Sequence, residues 1–274
     1  MSRRFAQSVK LIVLIIGAFV MMFPFVWMLA TSLKTLPESV AIPPILLPDT
    51  PQWSNYAEAL RTAPFGLYFR NSILVAGLGT LLTLILTVLA AYAFTIYEFR
   101  GKTVFFFLCL ATMMVPSELL IIQNFITISR LHWVNTFQGM IIPTLASGFY
   151  IYMMREYFMQ VPSVLYRAAK VDGCGDLRYI LTILMPICKP IITTLFVQSF
   201  ITIWNAYLWP LIITASAPDM RTIMVGITKL NSWEDTNYQL VLAGVTISLI
   251  PSFILFVIMR RNMAKGGTEG SLVG

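Results

Sequence analysis

Residues Tyr166–Pro190 read YRAAKVDGCGDLRYILTILMPICKP, a small-residue, charged, glycine-containing stretch between two long apolar runs. The spacing predicts two short helices about a tight turn. Pro162 opens the first, because a missing N–H costs nothing at a helix start. Asp172-Gly173 ends it, since glycine accepts the positive φ that a helix C-terminus needs. Asp176 suits the N-cap of the second, where its charge also meets the positive end of the helix dipole. That helix is expected to run through Leu177, Ile180, Leu181 and Leu184 to Pro186. Ala168, Ala169, Gly173 and Cys174 then gather at the apex, small enough to let another backbone come close. A helix lying on lipid needs large apolar residues along one face, and the apex reads as lacking them. The stretch therefore reads as a knob that enters a cleft in a partner protein.

The surrounding chain places this knob on a membrane protein. Of 274 residues, 58% are hydrophobic and 11% charged, whereas soluble domains carry about 25% charge. A spanning helix needs about 20 mostly apolar residues. Six segments qualify: Leu11–Leu33, Asn71–Tyr97, Val104–Ile128, Phe137–Met154, Pro190–Ile213 and Leu240–Met259. Putting the N-terminus in the cytoplasm gives the inner segments more Lys and Arg than the outer ones, as the positive-inside rule requires. Both termini then face the cytoplasm, and so does the knob segment, 155–189. Basic inner loops against anionic lipid account for the net charge of +7 without nucleic acid.

The paired arginines of "SRRFAQ" raise the alternative of an export signal. The apolar run that follows is too long for one and holds Phe23, Pro24 and Trp27, so an uncleaved first span is expected. Cys109, Cys174 and Cys188 are scattered in a span or on the cytoplasmic side, which argues against disulfides and a metal site. The proline-rich loop from Lys34 to Arg70 and the segment holding Asp219, Arg221, Glu234 and Asp235 read as outer connectors. Either is also a candidate docking surface.

Polar groups inside spans are costly and tend to face a bundle interior or a water-filled path. Gln198, Thr202, Asn205 and Trp209 recur at one helical face of the fifth span. In the third, Pro116 interrupts the helix and Glu118, Gln123 and Asn124 follow. These two sets read either as the wall of a solute path or as hydrogen bonds between helices. Ala76, Thr80, Thr83, Thr87 and Ala90 form a small-residue face on the second span, read as close helix packing.

Catalytic signatures are missing. The sequence holds no HExxH, GxSxG or GxxxxGK[ST], and its one histidine, His132, sits in a predicted outer turn. If ATP is used, another subunit must bind it.

The stretch "RAAKVDGCGDLRYILTILMPICKP" resembles the EAA loop of ABC importer permeases, matched at Ala168, Ala169, Asp172, Gly173 and Pro186. "NSILVAGLGT", "AYAFTIYEFRGK", "MREYFMQVPSVL" and "IWNAYLWPLI" are similar to the carbohydrate class of these permeases, which serves maltose, glycerol-3-phosphate and multiple sugars. The ending "RRNMAKGGTEGSLVG" resembles the tail of the smaller maltose permease. The resemblance implies an all-α, six-span, type I importer fold in a bacterial plasma membrane. Residues 1–69 would form the first span and outer loop, 70–260 the core, and 261–274 a cytoplasmic tail. It also implies a second permease subunit, a dimeric ATPase carrying ATP and Mg, and an external solute-binding protein, with no cofactor on this chain.

Arg167, Ala168, Ala169, Asp172, Gly173 and Cys174 would then couple to the ATPase. Glu118, Asn124, Gln198, Trp204, Asn205 and Trp209 would line the path, Trp204 because of the family-like Trp-Asn pair. One departure stands out: the family's glutamate is Arg167 here. A charge reversal requires an acid or neutral group opposite, or else coupling by shape alone. The competing reading is a secondary transporter or channel acting alone, a class that tends to show inverted repeats and mid-membrane charges.

Overall fold

The computed structural model describes residues 3–231 and 237–269, with backbone alone for 3–6 and 261–269. Glu234, Asp235 and the end of the glycine-rich tail, 270–274, lie outside the described residues. Every regular element among the described residues is helical. Packing divides the chain into one unit of 1–66 with 225–250 and another of 67–224 with 251–274.

In the first unit, helix Arg3–Ser32 is apolar from Leu11 to Ala30, and its residues from Gln7 to Val26 are exposed within the chain while Ala30, Thr31 and Ser32 are buried. It keeps Pro24 within the helix. The outer loop folds back on the end of this helix rather than running free. Lys34, 1% exposed, donates from Nζ to the Ile45 carbonyl at 2.6 Å and to Thr31 Oγ1 at 3.2 Å, and lies 4.4 Å from the Trp27 ring centroid. Asn55 Nδ2 donates to the Ser32 and Lys34 carbonyls at 2.9 and 2.8 Å. A buried ammonium needs such partners, because burial disfavours its charged form and pulls its pKa down.

The second unit is built on helix Phe65–Ile96, whose small-residue face is buried: Ala76 and Thr80 are 0% exposed, Thr83 and Thr87 1%. One core cluster gathers Tyr92, Tyr150, Met154, Phe158, Ala169, Tyr179, Ile180 and Leu184, and so joins the end of this helix to the knob. Another holds Val75, Ile128, Met140, Ile141 and Ile213, with Trp209 against it.

The expected spans are not all continuous helices. Among the described residues three helices are long and apolar enough to cross a membrane: Gln7–Ser32, Phe65–Ile96 and Tyr238–Arg260. The third expected span breaks at Pro116 into Lys102–Met114 and Ser117–Arg130, bent by 94°. Helices Asp176–Ile187 and Lys189–Trp204 meet at 88°.

The fourth expected span, Phe137–Met154, is corrected. It is a short helix Phe137–Ile141, a 3-10 turn Ile142–Thr144, and a new helix Gly148–Met159 capped by Ser147, which accepts from the Tyr150 N–H at 3.4 Å. Pro143 supplies no N–H to continue the first helix. At about 1.5 Å per residue, helix Gly148–Met159 alone falls short of a bilayer.

Candidate functional site

The knob forms as two helices. Helix Ser163–Val171 ends at Gly173, whose φ is +72°, and the Cys174 N–H donates to the Ala169 carbonyl at 2.8 Å. The Gly173 N–H donates to the Lys170 carbonyl at 3.1 Å. These paired bonds satisfy the carbonyls a helix end leaves free, and the left-handed residue they need is glycine. The second helix starts at Asp176 and passes through a π-helical turn, Ile180–Leu184, before Pro186. Proline's ring crowds the carbonyl four residues back, and a widened turn relieves that crowding.

Three expectations for the knob are corrected. Asp176 is not the N-cap; that position is Gly175. The Asp176 carboxylate instead accepts from Tyr92 Oη at 2.6 Å, Tyr97 Oη at 2.8 Å, Tyr166 Oη at 3.2 Å and Lys170 Nζ at 2.8 Å. Four donors favour the charged form and hold its pKa well below the usual carboxylate range, with the Lys170 bond the largest cause.

The grouping of all the small residues at the apex is corrected too. Ala169 is 5% exposed and faces the core, and Cys174 is partly buried against the same cluster. Arg167, Ala168, Asp172 and Gly173 remain exposed. Nor does the knob lack large apolar groups at its surface: Val171 beside the turn is 88% exposed, and Val164 and Leu177 exceed 60%. Their position follows from the helical period, which puts Ala169 inward and Val171 outward.

The second site is a cavity of about 780 Å³ within the second unit. Glu118 and Asn124 reach it from the broken third segment, Thr202 and Trp209 from the fifth, and Thr83 from the second. The break at Pro116 places them there, since it turns the chain by nearly a right angle.

The expected stripe is not one helix. Helix Lys189–Trp204 stops, Asn205 is its C-cap, and Trp209 belongs to a separate helix Leu208–Ile213. Gln198 and Asn205 are exposed but do not line the cavity. Trp204 is 1% exposed, stacked on Phe200 with centroids 5.7 Å apart and tilted against Phe69 at 5.8 Å, so it is a packing residue in this conformation. Trp209 faces the cavity while its Nε1 donates to the Gly139 carbonyl at 3.2 Å.

Sequence reasoning missed the tyrosines around Asp176, although Tyr92 and Tyr97 stand at the end of an apolar helix where hydroxyls seek partners. It also read Thr83 as packing alone. Its Oγ1, in a residue 1% exposed, has no hydrogen-bond partner and lines the cavity.

The second unit thus holds a cavity walled by broken apolar helices and a helical knob held on a polar clamp, the architecture of a membrane protein rather than of a soluble domain. Residues 83–265 match the model of the family described as "Binding-protein-dependent transport system inner membrane component", and the chain belongs to that family. It is 32% identical over 264 residues to the sn-glycerol-3-phosphate transport system permease protein UgpE of Yersinia enterocolitica, covering 93% of each chain. It is 30% identical to the arabinooligosaccharides transport system permease protein AraQ of Halalkalibacterium halodurans, over 94% of this chain and 93% of that one. The crystal structure of a bacterial ABC transporter involved in the import of the acidic polysaccharide alginate superposes with a TM-score of 0.82, at 24% identity, covering 95% of this chain and 98% of the other. The fold is that of a type I ABC permease.

Proposed function

We propose that this chain is the membrane-spanning subunit of an ATP-driven importer for a sugar, oligosaccharide or glycerophosphate-like solute, delivered by an external binding protein. A second, related permease subunit completes the path, and a dimeric ATPase carrying ATP and Mg supplies the energy; this chain binds no cofactor of its own. Six spans cross the plasma membrane with both termini in the cytoplasm. Three of them, the third, fourth and fifth, would be interrupted: at Pro116, between Thr144 and Gly148, and after Trp204. The knob, within 155–189, seats in a groove of the ATPase, and the tail from 261 reaches toward it.

The observation that carries this reading is the knob's two-sided build. Its inner side, Ala169 and Tyr179, is locked into the core beside helix Phe65–Ile96, while Arg167, Ala168 and Val171 stand exposed. A rigid base with an exposed apolar tip suits the transfer of ATPase closure to the helices that wall the cavity. Opposite Arg167 we place an acid or a neutral group, since like charges in a cleft repel. The stand-alone transporter remains the competing class, and copurification separates the two. The chain is expressed with its permease partner and ATPase, as wild type and as Ala168→Trp, which adds bulk outside the core. The importer reading predicts ATPase recovered with wild type and lost with the variant. Equal recovery refutes the assignment of the knob, and no recovery with either refutes the importer.

A further inference from the structure

We propose that Glu118 makes the cavity a charge filter, which admits neutral or cationic hydroxyl-bearing solutes and disfavours phosphorylated or uronate-bearing ones. The proposal rests on reading the cavity as the solute path. Among the residues lining it, Glu118 is the one charged side chain, and no Lys, Arg or His shares the wall. Its carboxylate accepts from Ser117 Oγ at 3.2 Å, and it makes no ion pair among the described residues. A phosphate or carboxylate entering here meets an uncompensated negative charge. Repulsion between unit charges about 8 Å apart in a hydrated cleft corresponds to roughly fivefold in occupancy per charge, and it compounds for a phosphate dianion.

The rest of the wall suits a saccharide. Thr202 and Tyr207 present exposed hydroxyls, Thr83 and Ser199 belong to the same wall with their side chains buried, and Trp209 presents an indole held in place by its bond to Gly139. Hydroxyls exchange hydrogen bonds with a polyol, and an aromatic face packs on the apolar side of a sugar ring. No group here would pair with an anion in the bidentate way that arginine does. The filter narrows the proposed solute to neutral sugars and oligosaccharides, unlike the acidic solutes named for the sn-glycerol-3-phosphate permease and the alginate importer.

The test reads the field directly in the assembled complex with partner permease and ATPase. Cys109→Ser and Cys174→Ser remove the accessible thiols, Cys188 is buried and stays, and Thr202→Cys introduces a reporter at the cavity wall. Rates are measured for a cationic trimethylammonioethyl and an anionic sulfonatoethyl methanethiosulfonate, with Glu118 and with Glu118→Gln. The proposal predicts faster reaction with the cation, and a cation-to-anion ratio that falls about 25-fold in Glu118→Gln, about fivefold from each reagent. An unchanged ratio overturns the filter, including through a neutralising cation on the partner subunit, while a reactive position 202 leaves the path standing. If neither reagent reaches position 202 in any nucleotide state, the path reading fails and the filter with it. A second readout is import by the intact system, binding protein included, into vesicles. Uptake of a neutral trisaccharide in preference to glycerol 3-phosphate is expected, and the reverse preference overturns the proposal.

Discussion

Replacing Asp176 with alanine removes the single acceptor shared by Tyr92, Tyr97, Tyr166 and Lys170. The cost is dominated by Tyr92, which is 3% exposed and donates across the shortest of these bonds, 2.6 Å. A buried donor left without its charged acceptor costs about 1–3 kcal/mol. The contacts of Tyr97 and Lys170 lie at the surface, where solvent and salt screen them, and they add little. Thermal unfolding of the purified complex should therefore come about 2–8 °C earlier for Asp176→Ala. Asp176→Asn keeps an acceptor and should lose roughly half as much.

The consequence for transport is larger than that for stability, because this carboxylate ties the knob to the end of helix Phe65–Ile96. With the tie cut, ATP hydrolysis should persist while solute moved per ATP falls severalfold in reconstituted vesicles. An Asp176→Ala complex that unfolds at the wild-type temperature and transports at the wild-type ratio would refute the reasoning.

Acid should act through the same group. Its folded pKa lies below the unfolded value near 3.9, so its stabilisation is present above about pH 4 and is lost as pH falls through the folded value. The unfolding difference between wild type and Asp176→Ala should hold from about pH 5 to 8 and shrink below about pH 4, read by parallel thermal scans. Gly139→Ala should destabilise by about 3 kcal/mol or abolish assembly, since a Cβ there overlaps the Trp133 carbonyl oxygen; membrane yield and unfolding temperature check it. At Gly173 a side chain meets open space but the φ of +72° is strained, so Gly173→Asn should be milder than Gly173→Val, by about 1 kcal/mol in unfolding. With an acid opposite Arg167, Arg167→Glu should weaken ATPase recovery about tenfold and a reciprocal acid-to-lysine change on the ATPase should restore it, whereas with a neutral group opposite recovery should be little changed.

The knob was legible in sequence because its turn is written in local chemistry. Asp172-Gly173 can end a helix in only a few ways, and φ at Gly173 takes the expected sign. The break at Pro116 was legible for the same reason. What stayed hidden depends on partners distant in the chain. Whether Asp176 caps its own helix or answers Tyr92, 84 residues earlier, is decided by how helices pack, and periodicity carries no record of that. The stripe from Gln198 to Trp209 failed because the helical period was carried past Trp204, where the chain leaves the helix although apolar residues continue. Trp204 is family-like in its Trp-Asn pair, yet its ring is spent on Phe200 and Phe69.

The central claim is that the exposed tip of the knob engages an ATPase, and a crosslink from that tip tests it most directly. Val171→Cys places a thiol on the most exposed apolar side chain beside the turn, in membranes from cells producing the whole importer, treated with a short bifunctional maleimide. The account predicts one dominant adduct containing the ATPase, with a yield that changes when ATP binds. Abundant, reactive thiol at position 171 with no ATPase adduct in any nucleotide state would contradict it.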